Sequence, residues 1–238
     1  MSTSIVAKSL CAGYGNLGVI SHMDFDLHPG GLMVLIGTNG SGKSTLLKTL
    51  AGIIEPVDGE VLVLGGEPGA NAESVAYLPQ HPKSSSVLPL RARDIVEMGR
   101  FARKGLFARM DAHDTEAIDR AMIRTGVDAF ADRSLIEMSG GQQQRTHLAQ
   151  ALAREADVLL VDEPTAGLDL NGRELVARVM REERDRGCAV VLATHDLADA
   201  ENADIVMLLA HRVVAVGAPD SVLTDANLRA CFGFTDRH

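Results

Sequence analysis

Gly37-Thr38-Asn39-Gly40-Ser41-Gly42-Lys43-Ser44 lies between an apolar run at 32–36 and a helical run at 45–51. A strand, a glycine-rich loop and a helix are thus expected in that order, with the spacing G-x-x-x-x-G-K-[ST] of a phosphate cradle. Glycines are needed because only a backbone without Cβ atoms can wrap phosphates closely with its N–H groups. The helix N-terminus that follows adds partial positive charge. The expected nucleotide-binding run comprises Gly37, Thr38, Asn39, Gly40, Ser41, Gly42, Lys43, Ser44 and Thr45. Lys43 would reach the β- and γ-phosphates, and Ser44 a Mg²⁺ ion. An ordinary glycine-rich turn is the competing reading, and the flanking strand and helix weaken it.

Outward from the cradle, a nucleotide site with Mg²⁺ needs a carboxylate for the metal and often a second to activate water. Val158-Leu159-Leu160-Val161-Asp162-Glu163 offers both at a strand end. Successive residues there face different directions, so Asp162 can face the metal and Glu163 the attacking water. Further short apolar runs at 34–37, 61–64, 75–78, 189–193, 205–209 and 213–216 read as strands. Helical spacing at 142–154 and 172–186 alternates with the later ones, which implies a largely parallel sheet. The first 60 residues look like an antiparallel β portion. Residues 90–135 hold candidate helices near 92–99 and 114–125, an all-helical insertion into an α/β core.

Composition bounds the function. The 238 residues are long enough for one substantial core, and no apolar run approaches the roughly 18 residues of a membrane span. No signal peptide is visible at the start, so a cytosolic location is expected. Cys11, Cys188 and Cys231 are too far apart for a metal knuckle or redox pair and read as packing residues. A net charge of −9 argues against a nucleic-acid-binding surface. Residues 80–110 nevertheless carry Lys83, Arg91, Arg93, Arg100, Arg103, Lys104 and Arg109 against Asp94 and Glu97, a local +5.

Met138-Ser139-Gly140-Gly141-Gln142 completes the set. With the cradle and the Asp162-Glu163 pair, it makes the chain resemble the ATP-binding cassette (ABC) ATPases over essentially its whole length. Ser139, Gly140, Gly141 and Gln142 match the signature motif, with Met138 in place of the usual Leu. The resemblance implies a P-loop fold with a RecA-like core, an antiparallel β subdomain and an inserted helical subdomain. The expected division is about 1–80 and 157–238 for the core with its β subdomain, and 81–156 for the helical part. It also implies that the signature binds the γ-phosphate of ATP held by a second cassette, so the active unit would be a dimer. Gln80, in Tyr77-Leu78-Pro79-Gln80, resembles the glutamine that contacts Mg²⁺, partly through water, and senses the transport partner. His195 resembles the switch histidine on the γ-phosphate, Tyr14 the aromatic that stacks on adenine, and Asp169 the dimer-contact aspartate.

Two classes compete: an ATPase driving a membrane transporter, and a soluble cassette of the DNA-repair, translation or iron–sulfur assembly kinds. The chain has neither long coiled coils nor a second cassette, and no Asn-Lys-x-Asp sequence for reading guanine. A transporter subunit is therefore expected, peripheral on the cytoplasmic face of the membrane. Its partners would be two permease subunits and, indirectly, an extracytoplasmic solute-binding protein. Met98-Gly99-Arg100-Phe101, Gly105-Leu106-Phe107 and the end from Leu223 to Gly233 resemble cassettes of zinc and manganese importers. Iron-siderophore, haem and vitamin-B12 importer cassettes share much of the pattern and stay the alternative. The basic segment is expected to meet acidic groups of the permease or anionic lipid.

Overall fold

The computed structural model describes residues 3–80, 90–104 and 109–233. The elements, in chain order, are β1 (Ile5–Tyr14), β2 (Leu17–Leu27), β3 (Leu32–Gly37), α1 (Lys43–Leu50), β4 (Asp58–Val63), β5 (Val75–Leu78), α2 (Ala92–Lys104) and α3 (Ala112–Thr125). Then come α4 (Gly140–Ala153), β6 (Val158–Asp162), α5 (Leu170–Asp185), β7 (Ala189–Thr194), β8 (Ile205–Leu209), β9 (Val213–Gly217), α6 (Pro219–Val222) and α7 (Asp225–Phe232). A six-stranded sheet has the order β5-β6-β7-β3-β8-β9, and a three-stranded sheet the order β2-β1-β4.

Period-2 alternation explains the two cores. In β3, Leu32, Val34 and Ile36 join an apolar cluster with residues of α2 to α5, while Met33 and Leu35 join a second cluster with β1, β2 and α1. β6 and β7 sort their residues the same way: Leu159, Val161, Val190 and Leu192 face the helices, and Val158, Leu160 and Val191 face the antiparallel sheet. Strands buried on both faces read as unbroken apolar runs, as parallel strands do. The helical insertion closes on itself through Gly99, where a Cβ would come 2.2 Å from the Gln150 carbonyl oxygen. Only glycine lets α2 approach α4 so closely. Asp111 caps α3 in a reciprocal capping box with Asp114.

Two expectations change. The run at 61–64 belongs to β4 of the antiparallel sheet and ends at Val63, because Leu64 turns with φ 52°. The run at 213–216 becomes β9, antiparallel to β8 at the sheet edge, so the last strand does not continue the parallel series. A short reversal forces this, since a parallel return needs a crossover of a dozen or more residues.

One member of the basic segment, Arg100, is corrected as well. Arg100 is 2% exposed. It bonds Asp114 Oδ1 at 2.8 Å, Glu155 Oε2 at 2.9 Å and the Ala153 carbonyl at 3.0 Å. Lys104 pairs with Asp111 and Asp114, Arg93 with Glu97 and Asp119, and Arg91 with Asp132. Arg103 donates to the Arg154 and Glu155 carbonyls. Arg100 thus braces the insertion and offers no charge to a partner. Lys83 and Gly105-Leu106-Phe107 lie outside the described residues. Cys188 and Cys231 are buried and Cys11 partly so, all unbridged, and burial pushes the Cys188 thiol up to about 12. Among the described residues no helix is long and apolar enough to cross a membrane.

Candidate nucleotide site

β3 delivers the chain into the glycine-rich loop and α1 leads it away. Gly42 sits at the helix N-cap with φ 107°, and Gly40 has φ 79° with nothing within 4 Å of a Cβ built on it. Both conformations belong to glycine, and they curl the backbone into the concave turn that a phosphate cradle needs. Lys43 folds over the loop: Nζ donates to the Gly37 carbonyl at 2.8 Å and the Thr38 carbonyl at 3.2 Å. Ser41 Oγ is buried without a hydrogen-bond partner. Thr45 is buried in the first turn of α1.

β6 brings two carboxylates beside the loop. Asp162 ends the strand at 2% exposure. Its Oδ2 accepts from the Tyr77 hydroxyl at 3.5 Å, and Oδ1 is buried with no partner. Burial pushes the Asp162 carboxyl up; the Ser44 hydroxyl opposes this, the Glu163 charge adds to it, and Lys43 opposes it again. Glu163 follows with φ 47°, a left-handed conformation that is strained for a side chain of this size. Its N–H donates to the Ala193 carbonyl at 2.9 Å, which ties the turn to β7.

Three expected residues converge on Glu163. Gln80 Nε2 donates to Oε2 at 2.7 Å, Lys43 Nζ lies 3.4 Å from Oε1, and His195 Nδ1 lies 3.8 Å from Oε2. The His195 side chain is 60% exposed. Gln80, Lys43, Ser44, Asp162, Glu163 and His195 therefore form one constellation drawn from α1, the end of β6 and the three loops that follow β5, β6 and β7. Tyr14, half exposed at the end of β1, stands apart from this hydrogen-bonded set.

The signature residues occupy a second place. Ser139 is the N-cap of α4: its Oγ accepts from the Gln142 N–H at 3.3 Å, while Gln142 Oε1 accepts from the Ser139 N–H at 3.0 Å. Gly140 and Gly141 form the first turn. Asp169 caps α5 through the Gly172 N–H at 2.9 Å. Ser139 to Gln142 and residues 167–169 line a common depression with Arg145 and Asn171. One link runs from α4 towards the acids: Gln144 Nε2 donates to the Pro164 carbonyl at 3.3 Å.

Sequence reasoning passed over Tyr77, Thr194 and Gln144. Tyr77 carried a signal, a hydroxyl in an otherwise apolar run three residues before Gln80. Thr194 and Gln144 carried none beyond adjacency to recognised motifs.

A parallel α/β core with a glycine-rich phosphate loop, a strand-end acid pair and a capped Ser-Gly-Gly-Gln helix defines an ATP-binding cassette. The profile of the ABC transporter family matches residues 20–166. The chain belongs to the ABC transporter family and is an ATP-binding member of it. It is 33% identical over 226 residues to a manganese transport system ATP-binding protein of Bacillus subtilis, covering 94% of this chain and 90% of that one. It is 40% identical over 222 residues to a cobalamin import ATP-binding protein of Halobacterium salinarum, covering 90% of this chain and 55% of that one. An inward-facing structure described as a metal-chelate type ABC transporter superposes with TM-score 0.83 at 30% identity, covering 98% of this chain and 90% of that one.

Proposed function

We propose that the chain hydrolyses MgATP to ADP and phosphate as the ATPase subunit of a multisubunit importer for divalent metal ions, manganese or zinc. The observation that carries the chemistry is the convergence of Lys43, Gln80 and His195 on the Glu163 carboxylate. Glu163 acts as general base and takes a proton from the attacking water, Lys43 binds the β- and γ-phosphates, and His195 bonds the γ-phosphate. Lys43 is held by loop carbonyls and Glu163, so engaging phosphate exchanges those bonds for ones to a more highly charged anion and releases one oxygen of the base. Mg²⁺ fits: the partnerless buried Oδ1 of Asp162 and the Ser44 hydroxyl beside it are hard oxygen donors, with Gln80 contributing partly through water. Bound there, the ion would neutralise charge developing on the phosphates.

In this reading Tyr14 stacks on adenine. Ser139, Gly140, Gly141 and Gln142 bind the γ-phosphate of ATP held by a second cassette, and Asp169 lies at that dimer contact. Residues 81–156 form the helical signature subdomain between the core segments 1–80 and 157–238. The dimer works from the cytoplasmic side of the membrane on two permease subunits, with a solute-binding protein on the far side and no nucleic acid. Metal transport is supported by the likeness to the manganese transport ATP-binding protein. A second reading, import of an iron chelate, haem or vitamin B12, is favoured by the cobalamin import relative and the metal-chelate type structure. Reconstitution with its permease in liposomes, assayed with Mn²⁺, Zn²⁺ and a ferric siderophore, tests both. Uptake of Mn²⁺ or Zn²⁺ supports the first, and uptake of the siderophore alone overturns it.

A further inference from the structure

His195 presents a ring that packing does not hold, since its side chain is 60% exposed and its charged neighbour Glu163 Oε2 stands 3.8 Å away. Its aim depends on the backbone of 194–196. One hydroxyl ties that backbone. Thr194, 1% exposed at the end of β7, accepts through Oγ1 from the Asp196 N–H at 3.0 Å and donates to Asp199 Oδ2 at 2.7 Å. The first bond makes His195 the middle residue of a turn closed by a side chain, where the hydroxyl replaces a backbone acceptor. The second anchors the hydroxyl to the 3-10 turn Leu197–Ala200, whose N-cap Asp196 accepts from the Ala198 N–H at 3.0 Å. The strand behind is also in register with the catalytic elements, because Thr194 pairs with Ile36 of β3 and Ala193 accepts from the Glu163 N–H.

We propose that Thr194 and Asp199 are positioning residues that hold the His195 turn in register with Glu163 and the phosphate loop. This rests on the reading of His195 as a γ-phosphate ligand. A hydroxyl has one proton and two lone pairs, so Thr194 can serve both partners at once. Valine has nearly the same shape and deletes both bonds, leaving the Asp196 N–H and the Asp199 carboxylate without this partner. Serine keeps both. Asp199→Ala removes the anchor from the far side and leaves β7 untouched.

The test measures kcat and KM for ATP, ATP affinity and melting temperature of the full chain. The variants are Thr194→Val, Thr194→Ser and Asp199→Ala, each in the native and the His195→Ala background. Misplacement of a ligand lowers kcat, here on the order of tenfold for Thr194→Val and Asp199→Ala, with KM changed by less than about twofold. Thr194→Ser restores turnover, and in the His195→Ala background neither substitution costs anything more. Where Thr194→Val fails to fold, Asp199→Ala decides by the same cycle. Native kcat in Thr194→Val or Asp199→Ala, or an equal fractional loss with and without His195, overturns the proposal. Undiminished turnover of His195→Ala alone sinks the underlying assignment and the proposal together. An impaired His195→Ala beside a fully active Thr194→Val sinks only the positioning.

Discussion

Glu163 combines a strained backbone, φ 47°, with a buried carboxylate held by Gln80 and Lys43. Such a conformation costs a non-glycine residue about 1 kcal/mol or more and persists where its surroundings enforce it, here through the N–H bond to Ala193. Glu163→Gln keeps the shape and loses the proton acceptor, so ATP binding is retained while phosphate release falls by about 10²-fold or more. Turnover near the native rate would remove Glu163 from the role of base. Lys43→Ala removes a charge that meets phosphate before as well as during reaction, and should weaken ATP binding itself by about tenfold or more in a fluorescent-nucleotide titration. An unchanged affinity would leave Lys43 as a loop brace, the role its bonds to Gly37 and Thr38 already show.

Helix α2 is where charge counting and burial part. Arg100 is enclosed by Asp114, Glu155 and the Ala153 carbonyl. Removing one member of a buried pair costs about 3 to 5 kcal/mol, because the other charge is left uncompensated. Arg100→Met is thus expected to lower the melting temperature by on the order of 10 °C, whereas Arg103→Glu, on the exposed side, should move it little. Equal shifts would place Arg100 at the surface. A pH dependence follows from Asp114: burial pushes its carboxyl up, but bonds from Lys104, the Asp111 backbone and Arg100 outweigh this and hold it well below the usual range. A depressed folded value stabilises above the unfolded pKa of about 3.9 and is lost as pH falls through the lower folded value. Urea titrations between pH 6 and 2 should show the advantage of the native chain over Asp114→Asn shrinking at the acid end. A constant gap would show that the carboxylate charge is not what stabilises α3.

For the assembled molecule, the capped Ser139 helix and Asp169 share one depression, while the Glu163 constellation lies at the strand ends. If the depression serves a second copy, Glu163→Gln with MgATP should elute as a dimer, and Glu163→Gln with Ser139→Arg should bind ATP yet stay monomeric. A double variant that still dimerises would remove the signature from the interface. Much of this was legible in the chain alone, because a phosphate loop and an acid pair at a strand end are local patterns whose spacing carries the chemistry. The largely parallel core followed from short apolar runs alternating with segments of helical spacing. Gln80 and His195 were nameable only by resemblance, since their meeting with Glu163 joins residues 83 and 32 positions apart. The antiparallel placement of β4 and β9, the burial of Arg100, and the Tyr77, Gln144 and Thr194 bonds came from packing. A linear sequence states charge and hydropathy for each residue, but which side of a helix is covered, and which distant carboxylate answers an arginine, is settled only when the layers close.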